Sequence, residues 1–362
     1  MVIRRRYRIL LAGFLLASLS FPACVKDKPD SPEQPPATTS GRKIWVANEG
    51  SLGNGNASLS VLLPERDSIY NHVFKTANHQ DLGDVFQSMT PVGNRLFLAV
   101  NNSDVIKVIN RENYELMATI DVRKPRYMLW VDSTKMYVSS LFYPEINVIN
   151  PRTFQVTGQI AADYPNTEGL LAFQGKVYAC NWDTACRYLY EIDPDDDQIT
   201  HRIPIAGAAP QQVLADKEGQ LWVLAGNAEQ GKPATLTRIN PVSRSITRSY
   251  HFPPKADVLK PAWNPGRDTL YFLGVDYNGR AAYNGVFRMS INQDTLPQTP
   301  FIPSQPLQYF WGLGIDPATG KIYVGDPKGF LQQGSILVYG ADGVLQQSFS
   351  CGIGPGFFLF DH

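Results

Sequence analysis

Acidic and amide side chains that could bind a cation are spread along the chain, each beside an apolar run. Glu49, Asn101, Glu168, Asn181 and Asp326 carry the oxygen atoms that Ca²⁺ prefers as ligands. If the fold brought them to one rim, they could hold calcium for the hydrolysis of an ester or lactone. Short polar residues at such positions also end strands and form turns. We favour this second interpretation, and we expect no metal site.

The remaining motifs do not predict an enzyme. The sequence has no G-x-S-x-G, P-loop or dinucleotide-binding motif. The histidines form no His-x-x-His or His-Asp arrangement, so we interpret each as a strand or surface residue: His72, His79, His201, His251 and His362. The acidic run at 193–197 lacks the glycine and distal glutamate of a calcium loop. We therefore expect no catalytic residues and no cofactor.

Two of the cysteines flank a short polar segment. Cys180 and Cys186 bracket the sequence NWDTA, and a disulfide across a hairpin loop would persist in an exported protein. Two unpaired, half-buried thiols are an equally good interpretation. Cys351 has no evident partner and is predicted to be a small apolar core residue.

The first residues have the pattern of a targeting segment. A positive stretch is followed by the apolar run 9–21, which is too short for an ordinary membrane span, and then by Cys24. We predict a lipoprotein signal peptide at 1–23 and a lipid on Cys24, the alternative being a secretory signal with an incidental cysteine. Residues 24–42 are rich in Pro, Ser, Thr and charge, which predicts a flexible stalk. Lys26-Asp27 resembles the signal that sends lipoproteins of Bacteroidota to the cell surface, so we expect an outer-membrane location.

Charge and composition restrict the partners and the fold class. The 362 residues include 33 basic and 33 acidic side chains, so the formal net charge is zero. A neutral chain has no electrostatic reason to bind a polyanion, and we expect no nucleic acid partner. The 29 glycines, 27 prolines and 11% aromatic residues fit many short strands joined by turns.

One strand pattern recurs along the chain. In each copy a turn precedes an aromatic residue that stands between two apolar ones, and the copies begin at Ile44, Leu96, Met136, Val177, Leu221, Leu270 and Ile322. Successive copies lie 40 to 52 residues apart, and the blades of propellers repeat every ~40–50 residues. The sequence therefore predicts an all-β, seven-bladed β-propeller over residues 43–362.

The chain ends predict how the ring closes. No inner strand precedes the first copy of the pattern, whereas the apolar segment 355–360 resembles an inner strand with no blade after it. We expect this segment to complete blade one, which would protect strand edges that otherwise invite aggregation. Two open β domains would leave the same segment without a partner.

The loops on one predicted face combine aromatic and amide side chains. In a propeller, the segments before the inner strands and the loops after the second strands share a face, and here they include Glu49, Lys260 and Phe330. Such a mixture suits a large, planar, amide-rich or sugar-like ligand, or a protein. We select as candidate ligand contacts Arg126, Tyr127, Tyr143, Glu168, Trp182, Gln211, Trp263, Tyr309, Trp311 and Phe357. Trp182 is the strongest single candidate, while Trp263 and Phe357 could instead pack between blades.

Several motifs resemble one family of propellers. They are Trp45-Val46-Ala47-Asn48-Glu49-Gly50, the segment 55–60, Leu82-Gly83-Asp84, Gln87-Ser88-Met89, Asn101-Asn102-Ser103 and Pro125-Arg126-Tyr127. From Lys43 onward the chain is similar to the YncE-like DUF5074 propeller lipoproteins of Bacteroidota. The resemblance implies a seven-bladed propeller. Some relatives, of the BtuG type, capture cobalamin at the cell surface and pass it to a TonB-dependent outer-membrane transporter, which the resemblance implies as a role for this chain.

Three functions are compatible with these observations. The first is a surface-exposed lipoprotein that binds a nutrient, with a corrinoid (vitamin B12) as the leading ligand and a TonB-dependent outer-membrane receptor as its partner. The second is a non-catalytic propeller that binds a protein or glycan. The third is a calcium-dependent, lactonase-like hydrolase. We favour the first and expect that the chain is not an enzyme.

Overall fold

The computed structural model describes residues 41–276 and 284–361, and these residues form seven antiparallel sheets of four strands each. The sheets are the blades of a β-propeller, so the predicted all-β, seven-bladed fold is confirmed. The predicted signal peptide, Cys24 and the stalk before Gly41 lie outside the described residues. Within the described ranges, no helix is both long and apolar enough to cross a membrane.

The strands follow one another blade by blade. In chain order they are β1 (Lys43–Asn48), β2 (Ser58–Leu63) and β3 (Ser68–Tyr70) in blade one; β4 (Phe86–Val92), β5 (Arg95–Val100), β6 (Val105–Asn110) and β7 (Leu116–Asp121) in blade two; β8 (Pro125–Trp130), β9 (Met136–Ser140), β10 (Glu145–Asn150) and β11 (Gln155–Ala161) in blade three; β12 (Thr167–Phe173), β13 (Lys176–Asn181), β14 (Tyr188–Asp193) and β15 (Gln198–Pro204) in blade four; β16 (Pro210–Ala215), β17 (Leu221–Asn227), β18 (Lys232–Asn240) and β19 (Ser245–His251) in blade five; β20 (Asp257–Trp263), β21 (Thr269–Val275), β22 (Gly285–Ser290) and β23 (Ile302–Pro303) in blade six; β24 (Gly312–Ile315), β25 (Ile322–Asp326), β26 (Ser335–Tyr339) and β27 (Leu345–Ser350) in blade seven; and β28 (Pro355–Asp361), which returns to blade one.

Over the described residues, helical structure is limited to short connections. One α-helix, α1 (Val73–Asn78), links blades one and two, and the sequence pattern does not predict it. Single 3₁₀ turns occupy Pro64–Arg66, Asn101–Ser103 and Lys328–Phe330.

The recurring aromatic pattern forms the second strand of every blade. Its aromatic residues are buried between neighbouring blades: Trp45, Phe97, Tyr137, Tyr178, Trp222, Tyr271 and Tyr323. Full burial of one large apolar side chain contributes about 1.5–3 kcal/mol. These strands are therefore apolar on both faces, because each lies inside a stack of sheets rather than at its surface.

The ring closes as the sequence predicts. Strand β28 pairs antiparallel with β1, with Ala47 opposite Phe357 and Trp45 opposite Leu359. It is the inner strand of blade one, and the inner strands β28, β4, β8, β12, β16, β20 and β24 contact one another in this order around the axis. Blade one thus combines strands from the beginning and the end of the propeller sequence. This pairing leaves no open sheet edge between the first and the last blade.

Candidate ligand-binding site

A cavity of about 720 Å³ opens on the face where the inner strands begin and the second strands end. We call it the central cavity. Its apolar lining includes Leu52, Trp182, Trp311, Phe330, Leu331 and Phe357. Its polar lining includes Glu49, Gln87, Arg126, Glu168, Gln211, Gln212 and Lys260. The volume is within the range of about 300–1,000 Å³ typical of small-molecule sites.

β-Bulges at the starts of the inner strands bring the polar side chains into this cavity. The pairing register shifts at the start of every inner strand except β20, where it shifts after the third residue, and β24, which has no shift. The residues at these shifts include Gln87, Arg126, Glu168, Gln211 and Lys260, all of which line the cavity. A bulge inserts an extra residue and turns its side chain out of the regular alternation. The same local irregularity, repeated around the ring, therefore builds the site.

Gly356 is the bulge residue of β28, and here the absence of a side chain is required. A Cβ atom at this position would lie 2.2 Å from Glu49 Oε1. The glycine thus leaves the space in which the Glu49 carboxylate lies.

An ion pair closes one side of the central cavity. Arg126 Nε donates to Glu168 Oε1 at 2.7 Å, and Arg126 Nη1 donates to Gln87 Oε1 at 2.5 Å. Only 3% of Glu168 is exposed, and this burial raises the pKa of its carboxyl group against the opposing effect of Arg126. Removing Arg126 would leave a buried carboxylate without its counter-charge, which typically costs about 3–5 kcal/mol.

The opposite side contains charged and polar atoms that are not satisfied by hydrogen bonds. Lys260 Nζ lies 3.9 Å from Glu49 Oε1 and 5.7 Å from the ring centroid of Trp311. Glu49 Oε1 and Trp311 Nε1 are buried, and neither has a hydrogen-bond partner among the described residues. Burial lowers the pKa of Lys260, and Glu49 partly offsets this effect. Lys260 also has a φ of 53°, an uncommon conformation for a residue other than glycine.

The aromatic side chains of the cavity wall are fixed by polar contacts and by one another. Trp182 Nε1 and Gln211 Nε2 both donate to the carbonyl oxygen of Gly226, at 2.9 and 2.7 Å. The ring of Trp311 contacts that of Phe330 edge to face, with centroids 5.4 Å apart. Contacts within the protein hold these rings in place, which reduces the entropic cost of binding a ligand.

The structure brings together seven of the ten candidate contacts selected from the sequence. Those that line the central cavity are Arg126, Tyr127, Glu168, Trp182, Gln211, Trp311 and Phe357. Burial raises the pKa of the Tyr127 hydroxyl, and the nearby Glu168 carboxylate raises it further. A shared location does not test a role in binding, so that role stays a prediction.

The other three candidates lie away from the central cavity. Trp263 is at the far end of β20, opposite Leu270, where its ring packs against Trp222 with centroids 5.9 Å apart. Tyr143 packs under the guanidinium of Arg123, which lies 4.0 Å from its ring centroid. Tyr309 packs against the core between blades six and seven. The expectation that these three side chains share the opening is not met, because each is used in packing between or beside blades.

The cysteines that the structure describes are unpaired, and two of the candidate calcium ligands are used in hydrogen bonds to the backbone. Cys180 and Cys186 are free thiols, as in the second of the two interpretations, but both are fully buried rather than half-buried. Burial raises the pKa of Cys186 to about 12. Asn101 Nδ2 donates to the carbonyl of Pro125, and Asn181 Nδ2 donates to that of Tyr164. Over residues 41–276 and 284–361, no group of three or more His, Cys, Asp or Glu side chains could hold a metal ion.

A family model agrees with this architecture. The model described as "Domain of unknown function (DUF5074)" matches residues 42–343. The chain belongs to the DUF5074 family. No curated protein matches this DUF5074 chain in sequence.

Solved structures with a similar fold come from several organisms. A quinonprotein alcohol dehydrogenase-like protein from Bacteroides thetaiotaomicron is 13% identical, with a TM-score of 0.67 over 89% of this chain and 79% of that one. The hydrazine synthase of Kuenenia stuttgartiensis is 14% identical, with a TM-score of 0.57 over 74% and 87%. Virginiamycin B lyase from Staphylococcus aureus is 13% identical, with a TM-score of 0.53 over 72% and 82%. At these identities the similarity shows the propeller fold alone.

Proposed function

We propose that this DUF5074 protein is a binding protein that captures a large amphipathic nutrient, with a corrinoid as its ligand, in the central cavity. The proposal rests on one observation: aromatic side chains and polar side chains from β-bulges line the same cavity. Trp182, Trp311 and Phe330 supply apolar surface, and Gln211 and Gln212 supply amide groups. A few polar groups that fix the orientation of a ligand on an otherwise apolar surface are typical of small-molecule sites.

A corrinoid has matching chemistry. Its macrocycle is broad and flat, so an apolar face could contact the aromatic side chains, and its rim carries side-chain amides that both donate and accept hydrogen bonds. The ligand is larger than the cavity of about 720 Å³, so part of it would remain above the rim. The resemblance to cobalamin-capturing propeller lipoproteins supports the same ligand.

We propose binding rather than catalysis because three of the five candidate calcium ligands are used within the protein. Glu168 is paired with Arg126, and the side-chain amides of Asn101 and Asn181 donate to backbone carbonyls. These contacts hold the loops around the opening.

The location and partner in this proposal rest on the sequence. Cys24 would carry the lipid, and the segment 24–42 would be the stalk that separates the propeller from the outer membrane. A lipid-anchored propeller at the cell surface would pass its ligand to a TonB-dependent outer-membrane transporter.

Trp311→Ala tests whether ligand binds in the central cavity, with Phe142→Ala as the matched control. Trp311 lines the cavity, whereas Phe142 is exposed in a loop of the same face and does not line it. In calorimetric titration with cyanocobalamin, we expect the first variant to bind about 30-fold or more weakly than wild type, as for a central aromatic contact. The control should bind as wild type does. Equal affinities for all three proteins would place the ligand elsewhere, and binding of a protein or glycan instead would favour the second function.

A further inference from the structure

The side of the central cavity formed by Glu49, Lys260 and Trp311 has hydrogen-bonding capacity that the protein itself does not use. Only 8% of Glu49 is exposed, and its Oε1 atom has no hydrogen-bond partner in the described part of the chain. Lys260 Nζ, at 3.9 Å from that oxygen, is beyond the 2.7–3.2 Å range of an N–H···O hydrogen bond. Buried polar atoms normally have a partner, so an unpartnered acceptor beside an ammonium group calls for an explanation.

We infer that this pair binds a primary carboxamide of the ligand, with its NH₂ group donating to Glu49 Oε1 and its carbonyl oxygen accepting from Lys260 Nζ. The inference rests on the proposed function and specifies which ligand group this side of the cavity recognises. A carboxamide carries a donor and an acceptor side by side, which matches an acceptor and a donor that are too far apart to bond to each other.

The charges of the cavity indicate a neutral ligand group. Arg126 and Lys260 are balanced by Glu49 and Glu168, all of which line the cavity. A ligand carboxylate would gain from Lys260 but would lie against the Glu49 carboxylate, and like charges in contact are unfavourable. An ester or a methyl group would leave Glu49 without a donor.

Several other polar side chains of the cavity already make hydrogen bonds within the protein. Arg126 donates to both Glu168 and Gln87, and Gln211 donates to the Gly226 carbonyl. Among the described residues that line the cavity, the buried polar side-chain atoms without a hydrogen-bond partner are Glu49 Oε1 and Trp311 Nε1, and both lie on this side. This asymmetry is why we assign the recognition of the amide to one side of the cavity rather than to its whole rim.

The test compares cyanocobalamin with its monocarboxylic acids, in each of which one side-chain amide is hydrolysed. Titrated at pH 7, where the acids are ionised, wild type should bind at least one acid about 10–100-fold more weakly than the parent amide, the effect of one hydrogen bond to a charged group. This comparison needs no variant, so it holds even if a substitution at this site impairs folding.

Two variants locate the effect. Glu49→Gln removes the negative charge while preserving shape and offers an NH₂ donor to a carboxylate, so it should bring the discriminated acid to within about 5-fold of the amide. Lys260→Met should weaken cyanocobalamin by about 10–100-fold. Glu112→Gln and Lys255→Met, at exposed positions outside the cavity, are the matched controls and should leave every affinity unchanged.

Each result decides between distinct conclusions. If wild type binds all the acids as tightly as the amide, or if Glu49→Gln leaves the penalty of the discriminated acid unchanged, the carboxamide assignment is overturned and corrinoid binding stands. If cyanocobalamin does not bind to wild type that unfolds cooperatively, the proposed function is overturned, and the assignment with it.

Discussion

Removal of strand β28 should abolish the cooperative folding of the propeller. The deletion of residues 355–362 takes away every pairing partner on the inner side of β1. Of the apolar side chains lost, Phe358 is buried and Phe357, Leu359 and Phe360 are half-buried. At about 1.5–3 kcal/mol for the first and roughly half as much for each of the others, the lost burial is about 4–8 kcal/mol. The typical stability of a domain is about 5–15 kcal/mol, and the loss of ladder hydrogen bonds adds to the deficit.

A point variant in the same strand gives a measurable intermediate. Only 8% of Phe358 is exposed, and its ring packs near Tyr323 with centroids 6.2 Å apart. Phe358→Ala should therefore lower the free energy of unfolding by about 3–5 kcal/mol, the usual range for a buried phenylalanine. Phe142→Ala removes a ring that is largely exposed and should change it by less than about 0.5 kcal/mol.

Equilibrium unfolding in urea, followed by tryptophan fluorescence, measures these differences. We expect a lower midpoint for Phe358→Ala with an unchanged slope, and no cooperative transition for the deletion. A deletion that unfolds cooperatively near the wild-type midpoint would refute this account of ring closure. So would a Phe358→Ala variant within about 1 kcal/mol of wild type, since the strand would then contribute little to the core.

Three further predictions concern the ligand and the anchor. Trp182→Ala should weaken cyanocobalamin binding by about 2–4 kcal/mol, as measured by calorimetry. The control His201→Ala, on outer strand β15, should have almost no effect, and equal losses in both variants would exclude this face as the binding site. Affinity should fall at alkaline pH, and at a lower pH than for an ordinary lysine, because burial lowers the pKa of Lys260 and the neutral amine is a weaker donor than the ammonium group. An alkaline loss that persists in Lys260→Met would disprove this cause. Cys24→Ser should release the protein from membranes or block cleavage of its precursor, and unchanged fractionation and processing would contradict the lipid anchor.

The fold could be predicted from the sequence because its strongest signal is repeated in every blade. Each second strand must be apolar on both faces, because its blade lies between two others. The same aromatic pattern therefore returns in every blade. The closing strand was predictable for a related reason, since 355–360 is apolar and would have no partner in an open array. Helix α1 was not predictable, because a six-residue helix carries too little periodicity to recognise.

The candidate site was only partly predictable, because bulges decide which side chains enter the central cavity. Gln87 and Lys260 point inward through local register shifts, and such a shift leaves no clear mark in the sequence. Trp263 was placed on the wrong side because an inner strand exposes only its start at this opening, whereas Trp263 lies at the other end of β20. Glu49 and Lys260 were assigned to the correct face, yet their complementary unpartnered atoms become evident only from coordinates.

The most direct test of the central claim is a calorimetric titration of cyanocobalamin into the wild-type propeller at neutral pH. The account predicts saturable binding with one ligand per chain, since the ligand is assigned to the central cavity. The absence of binding to a protein that unfolds cooperatively would contradict it, and so would a stoichiometry well above one.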